Sequence, residues 1–181
     1  RYIFSMRTIV SMFLTISFIA CADDWPNWRG PNHNGISQEK VPKADFSEIA
    51  WRKQIGVGFS SMAVSKGRLF ALGSTGKKRG NEETFYCLDA DSGKTLWKDT
   101  YPAALVDYLH EGGPCASPTV DGNCVYGLSK SGRLVCYDVE NGKKHWIVDL
   151  MAKADLPRPP EWGFASSPLI LDDRIIVEAT F

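Results

Sequence analysis

Short apolar runs alternate with turn residues along most of this chain, and none has the length or the three-to-four-residue spacing of a helix. Residues 59–64, 68–72, 84–88 and 95–98 form one set of four runs; residues 117–120, 124–128, 134–137 and 144–148 form the next. Each set predicts four short antiparallel strands. The segments between them, such as Ser65-Lys66-Gly67, Asp121-Gly122-Asn123 and Ser129-Lys130-Ser131-Gly132, supply the Gly, Asn and Asp that tight hairpins need at positive φ.

The two sets are copies. Cys87-Leu88-Asp89-Ala90-Asp91-Ser92-Gly93-Lys94-Thr95-Leu96-Trp97 recurs as Cys136-Tyr137-Asp138-Val139-Glu140-Asn141-Gly142-Lys143-Lys144-His145-Trp146, with Cys, Asp, Gly and Trp at the same offsets. Upstream, Ser117-Pro118-Thr119-Val120 matches Ser167-Pro168-Leu169-Ile170, and Ser61-Met62-Ala63-Val64 more loosely, so both halves of the unit keep one period of about fifty residues. Asp89 and Asp138 are placed to accept backbone N–H bonds across a turn, and Gly93 and Gly142 to let the chain return. Trp97 and Trp146 follow four residues after the Gly, near the start of the outermost strand, where an indole lying flat covers the next unit's turn. Trp51 holds the corresponding place in an incomplete first unit.

Four-stranded units of this length repeated around an axis describe an all-β fold, a β-propeller with tryptophan-docked blades, here a partial one. A β-sandwich is the rival, but it has no need of the same Trp in successive sheets. The expected division is a signal segment with an N-terminal over-read at 1–22, an N-terminal segment at 23–58, blades at 59–98 and 117–148, and the start of another at 165–181. The stretches 73–83 and 150–162 read as rim loops, where a ligand site would be framed.

The ends change the picture next. From Met6, a positive charge at Arg7 precedes an apolar stretch at 9–19 and the triplet Ala20-Cys21-Ala22, the layout of a secretory signal cleaved after Ala22. Lipidation of Cys21 and a retained anchor are the alternatives; all three place the remainder outside the cytoplasm, with no membrane span in the mature chain. The last unit lacks its Asp-to-Trp half, so the sequence reads as truncated at its C-terminus. With 21 basic and 21 acidic residues the net charge is zero, which argues against a nucleic-acid partner. Cys87 and Cys136 read as core thiols, Cys115 with Cys124 is the one local disulfide to consider, and no spacing matches a zinc site.

The small-x-Asp-x-x-x-Gly-x-x-x-Trp element, preceded by its Ser-Pro-x-Val strand pair, resembles the pyrroloquinoline-quinone-like (PQQ-like, quinoprotein-type) β-propeller repeat from about Asp24 to Thr180. The opening Asp24-Trp25-Pro26-Asn27-Trp28-Arg29-Gly30-Pro31 resembles exported members from planctomycete-like bacteria. That family includes quinoprotein alcohol dehydrogenases and outer-membrane assembly lipoproteins. In the dehydrogenases the resemblance implies a quinone beneath an adjacent-cysteine disulfide, calcium held by acidic and amide side chains, and an aspartate base. This chain has no adjacent cysteine pair, and Cys115 stands alone.

Candidate chemistry is sparse. His110 and Glu111 precede a Gly-Gly-Pro turn and stand where a channel would open, and Glu161-Trp162-Gly163 brings an acid and an aromatic to a strand start; these four are the candidate cofactor or ligand residues. No catalytic and no metal-binding residue is identified. His145, beside the docking Trp, reads as a strand-surface residue and His33 as part of an Asn-Gly loop. The favoured function is an exported binding or scaffold module at the cell envelope, periplasmic or extracellular, contacting envelope proteins or polysaccharide. The alternative is a PQQ- and calcium-dependent dehydrogenase acting on an alcohol or sugar. A hydrolase or adhesion domain in a missing portion is a third possibility without direct support.

Overall fold

The computed structural model describes residues 23–40, 48–75, 82–103 and 112–179. Two four-stranded antiparallel meanders follow one another: β1 (Ala63–Ser65), β2 (Arg68–Ser74), β3 (Glu82–Asp89) and β4 (Thr95–Pro102), then β5 (Thr119–Asp121), β6 (Cys124–Leu128), β7 (Arg133–Asp138) and β8 (Lys144–Asp149). A short helix, α1 (Leu150–Lys153), leads towards a hairpin of β9 (Leu169–Leu171) and β10 (Arg174–Ile176). The first strands β1, β5 and β9 lie beside one another, so the sheets fan out from a common inner edge. These are all-β sheets resembling propeller blades, and they do not close into a barrel. Among the described residues no helix is long and apolar enough to cross a membrane.

The repeated sequence builds the same turn twice. Asp89 N–H donates to Lys94 O and Gly93 N–H to Asp89 O; Asp138 and Lys143, and Gly142 and Asp138, do the same one unit on. The Asp89 carboxylate accepts from the Ser92 amide and hydroxyl, which holds its pKa below the usual carboxylate range; the Asp138 carboxylate accepts from the amides of Glu140 and Asn141. Both units then carry the same β-bulge. Cys87 faces Trp97 while Leu88 faces Thr95, and Cys136 faces Trp146 while Tyr137 faces Lys144. Leu96 and His145 are the unmatched residues, so His145 is the extra residue of a bulge.

The indoles join unit to unit. Trp51 Nε1 donates to Ala90 O at 3.0 Å and Trp97 Nε1 to Val139 O at 2.9 Å, each ring lying on the glycine of the next turn. A Cβ at Gly93 would stand 2.5 Å from Trp51, and one at Gly142 2.6 Å from Trp97. Gly142 also holds φ +72°, so Gly142→Ala meets a clash and a left-handed backbone together. Gly142→Ala is expected to cost about 2 kcal/mol or more, against under 1 kcal/mol for Gly122→Ala, whose Cβ would enter open space at a similar φ; chemical denaturation of both variants checks this.

Behind Trp97, Phe70, Phe85 and Tyr137 form an aromatic core between the sheets, with Phe85 stacked on Trp97 at 5.8 Å and Tyr137 4.9 Å from Phe85. Asp99 of β4 adds a polar clamp, accepting from Tyr137 Oη at 2.9 Å and Arg133 Nη2 at 3.3 Å and pairing with Lys144 Nζ at 2.8 Å. Trp146 differs: it is 37% exposed and meets Tyr126 at 5.9 Å. At the inner edge a serine relay links successive units, Ser61 N–H donating to Ser117 Oγ 56 residues on and Ser117 N–H to Ser167 Oγ 50 residues on.

The strands depart from expectation in several places: β2 and β3 reach into the expected loop at 73–83, where Gly73 faces Thr84 and Ser74 faces Glu83, and β4 runs on to Pro102. The run at 59–64 forms a strand only from Ala63, because the amides of Phe59 and Ser60 both donate to Pro114 O and carry that stretch across to the next unit's lead-in. The run at 117–120 likewise starts later, at Thr119, since the amide and hydroxyl positions of Ser117 serve the relay. The stretch at 150–162 is not wholly loop: the Asp149 carboxylate caps α1 by accepting from the amides of Met151 and Ala152. Cys87 and Cys136 are buried, and burial pushes each thiol up to about 12. Cys115 and Cys124 are not bridged: Cys115 Sγ donates to Gly113 O, whereas Cys124 neighbours Cys136 on the same face of the β6–β7 ladder.

Candidate functional site

The inner edge is built on by the chain's own N-terminal segment. Trp25 pairs antiparallel with Val64 of β1, through N–H to O bonds of 2.8 and 2.9 Å, and Pro26 O accepts from Val120 N–H of β5 at 2.7 Å. Asp24 fixes the start of this strap, its carboxylate accepting from Ser65 Oγ at 2.6 Å and Lys66 N–H at 2.9 Å. The strap therefore crosses the inner edges of two sheets, held to β1 by one isolated bridge and to β5 by one backbone bond. Beyond it the chain turns at Gly30, which must be glycine because its Cα lies against the Trp25 ring.

This turn places Asn27, Trp28 and His33 at a cleft of about 490 Å³ with Phe59, Cys115 and residues 165–169. Trp28 and Phe59 are each 54% exposed. The cleft offers two aromatic faces and a rim of amide, imidazole and hydroxyl groups, a lining suited to binding by stacking and hydrogen bonds. His33, expected only as a loop residue, is thus part of this cleft.

Glu161 and Trp162 lie elsewhere. They line a second cleft of about 350 Å³ with Pro160, Gly163, Phe164 and Glu178. Trp162 is 47% exposed. His110 and Glu111 lie outside the described residues. The structure therefore brings Glu161 and Trp162 together in a cleft beside the larger one, the two sharing Ala165 and Ser166.

A buried polar cluster lies under this second loop. Glu83, at the start of β3, and Lys130, in the β6–β7 turn, are each 2% exposed. Glu83 accepts from Lys130 N–H and from Tyr101 Oη, both at 3.2 Å, and interacts with the Ser129 hydroxyl. Burial raises the Glu83 pKa above the ordinary carboxyl range, opposed by these hydrogen bonds and by the Lys130 charge. Burial likewise raises Tyr101. Among the described residues the Lys130 ammonium has no hydrogen-bond partner. Its stem packs beneath Gly163, where a Cβ would stand 2.3 Å from Lys130 Cγ.

Neither the strap nor this cluster was expected. Trp25 and Pro26 read as a family signature rather than as strand residues. Lys130 read as a turn residue in Ser-Lys-Ser-Gly, and Glu83 as the end of a loop; their only sequence signal is an acid beside a strand and a base in the next unit's hairpin turn, 47 positions on.

Comparisons with known proteins agree with this architecture. The profile of the family described as outer membrane protein assembly factor BamB matches residues 43–178. A curated protein described as outer membrane protein assembly factor BamB from Shewanella oneidensis is 30% identical over 111 residues, 57% of this chain and 26% of the relative. The chain thus spans about a quarter of the length of that relative. Among solved structures, quinohemoprotein alcohol dehydrogenase from Comamonas testosteroni aligns with a TM-score of 0.57 at 15% identity, over 85% of this chain and 23% of that one. BamB from Moraxella catarrhalis aligns with a TM-score of 0.49 at 18% identity, over 72% and 33% respectively. The likeness to the dehydrogenase is one of fold alone.

Proposed function

The chain belongs to the PQQ-like β-propeller repeat family represented by outer membrane protein assembly factor BamB, and from that membership we propose that it is a binding or scaffold module of the cell envelope. It is an exported protein, periplasmic or envelope-associated. The units at 59–98 and 117–148 and the start of another at 165–181 are read as consecutive parts of a propeller, with 23–58 as the segment preceding them, in an exported protein of the planctomycete-like kind. Its partners in this reading are envelope proteins or polysaccharide.

The lining of the larger cleft carries the proposal. Two half-exposed aromatic rings, Trp28 and Phe59, flank Asn27, His33, Ser166 and Ser167, and no carboxylate stands among the described residues that line it. A quinone dehydrogenase needs there an aspartate base and the oxygen-rich donor set that calcium takes, largely carboxylates. Cys115 lies between Pro114 and Ala116 and offers no adjacent sulfur. The residues present do not fit the quinone and its calcium, and they do fit a ligand held by stacking.

In cells, a photo-crosslinker at Phe59 is expected to capture a defined envelope protein or glycan, with Trp28→Ala reducing the yield at least tenfold. Purified protein mixed with PQQ and calcium is expected to take up no quinone and reduce no dye. Stoichiometric uptake with dye reduction would overturn the proposal.

A further inference from the structure

We infer that the mature chain starts at Asp23 and that its new α-ammonium is bound by the Glu39 carboxylate, so that the fold uses the product of export cleavage as a structural contact. The inference rests on export and is independent of what the larger cleft binds.

The strap leaves little freedom at its start. Asp24 is held through both carboxylate oxygens by Ser65 and Lys66, and Trp25 by two backbone bonds to Val64. The nitrogen of Asp23, one residue earlier, is consequently fixed in place, and it donates to Glu39 Oε1 at 2.5 Å. Glu39 is brought there by an ordered return of the chain. Gly35 N–H donates to Arg29 O, Ile36 N–H to Asn34 Oδ1 and Glu39 N–H to Ser37 Oγ. Asp23 and Glu39 thus meet at the wall of a cleft of about 290 Å³ that Trp25, Pro31, Ile36 and Val64 also line.

The sequence puts a cleavage signal at this point. Ala20-Cys21-Ala22 gives small residues at the first and third positions before the Ala22–Asp23 bond. Hydrolysis there adds water across the peptide bond: the Ala22 carbonyl carbon takes the hydroxyl, and the Asp23 nitrogen takes one proton, then a second from solvent. The amide, with one N–H and no charge, becomes an ammonium with three donors and a positive charge. Its contact to Glu39 changes from a neutral hydrogen bond into an ion pair. Asp23 and Asp24 carry their own carboxylates beside this nitrogen, and Lys40 follows Glu39 in the chain. Lys66 directs its ammonium to Gly122 O and Asn123 Oδ1 instead.

The test uses the full chain expressed with its leader and purified from the exported fraction. Intact mass and N-terminal sequencing are expected to show Asp23 first, with a free amine. Reductive methylation with labelled formaldehyde then gives the α-amine a resolved NMR signal that still titrates. Its midpoint is expected above the ordinary α-amine range, and Glu39→Gln to lower it by roughly 0.3 to 0.7 of a pH unit, the size of an exposed ion pair. Glu39→Lys is expected to lower it further. An acylated Cys21 or another first residue overturns the proposal, as does a midpoint that Glu39→Gln and Glu39→Lys leave in place while circular dichroism shows both variants folded.

Discussion

Trp97→Ala is expected to lower stability by about 3 to 5 kcal/mol, which for a domain of this size moves the melting temperature down by roughly 10 °C. The truncation removes three contacts together. The ring leaves Gly142, whose Cα was shaped to it; the bond from Nε1 to Val139 O is lost; and Phe85 loses its stacked neighbour. Trp97→Phe separates these contributions, keeping an aromatic face against Gly142 and Phe85 while dropping the indole donor. Its expected cost is about 1 to 2 kcal/mol, the sum of a lost hydrogen bond and imperfect packing. Leu96→Ala is the internal control, since Leu96, the bulge residue beside Trp97, is 45% exposed. It is expected to cost less than half as much as Trp97→Ala. Equal losses at Leu96 and Trp97 would show that the indole acts as an ordinary strand residue and that unit-to-unit docking is not its role.

Docking was legible in sequence because it is local and periodic. An Asp that builds a turn, a Gly that must be bare and a Trp four residues later keep fixed offsets, and one turn's glycine meets the preceding unit's indole through a backbone approach that any larger side chain would block. The bulge between the Gly and the Trp was not legible. Leu96 and His145 are chemically unlike each other, and only the ladder reveals that both are unmatched. Apolar character misled at Phe59, where the run continues the strand pattern but the backbone bonds to Pro114, leaving the ring exposed at the cleft. The candidate site was least legible. Glu161 and Trp162 do line a cleft, yet the larger one depends on Trp28 and His33, carried to it by a strap whose pairing with Val64 and Val120 has no periodic signal.

Glu83→Ala carries the second large expectation, a loss of about 3 to 5 kcal/mol, because removing a buried acceptor leaves its buried donors unsatisfied. The change deprives Lys130 N–H and Tyr101 Oη of their acceptor and takes a nearby negative charge from the buried Lys130 side chain. Glu83→Gln keeps the shape and an acceptor oxygen, and pH then distinguishes charge from packing. Burial raises the folded-state pKa of Glu83 above its unfolded value, so folding favours the protonated acid. The stability that this group contributes is fully present below the unfolded pKa, near 4.5, and is lost as pH rises through the folded value. Glutamine mimics the protonated acid at every pH. Melting curves of parent and Glu83→Gln are therefore expected to lie closest near pH 4, with the variant gaining on the parent as pH rises towards neutrality. Lys130→Met, which keeps the stem under Gly163, is expected to steepen the parent's decline with pH, since the one cation drawing Glu83 downward among its named neighbours is gone. If Glu83→Ala melts within 2 °C of the parent and Glu83→Gln tracks it at every pH, water reaches these buried groups in solution and the junction between units is held by the indoles alone.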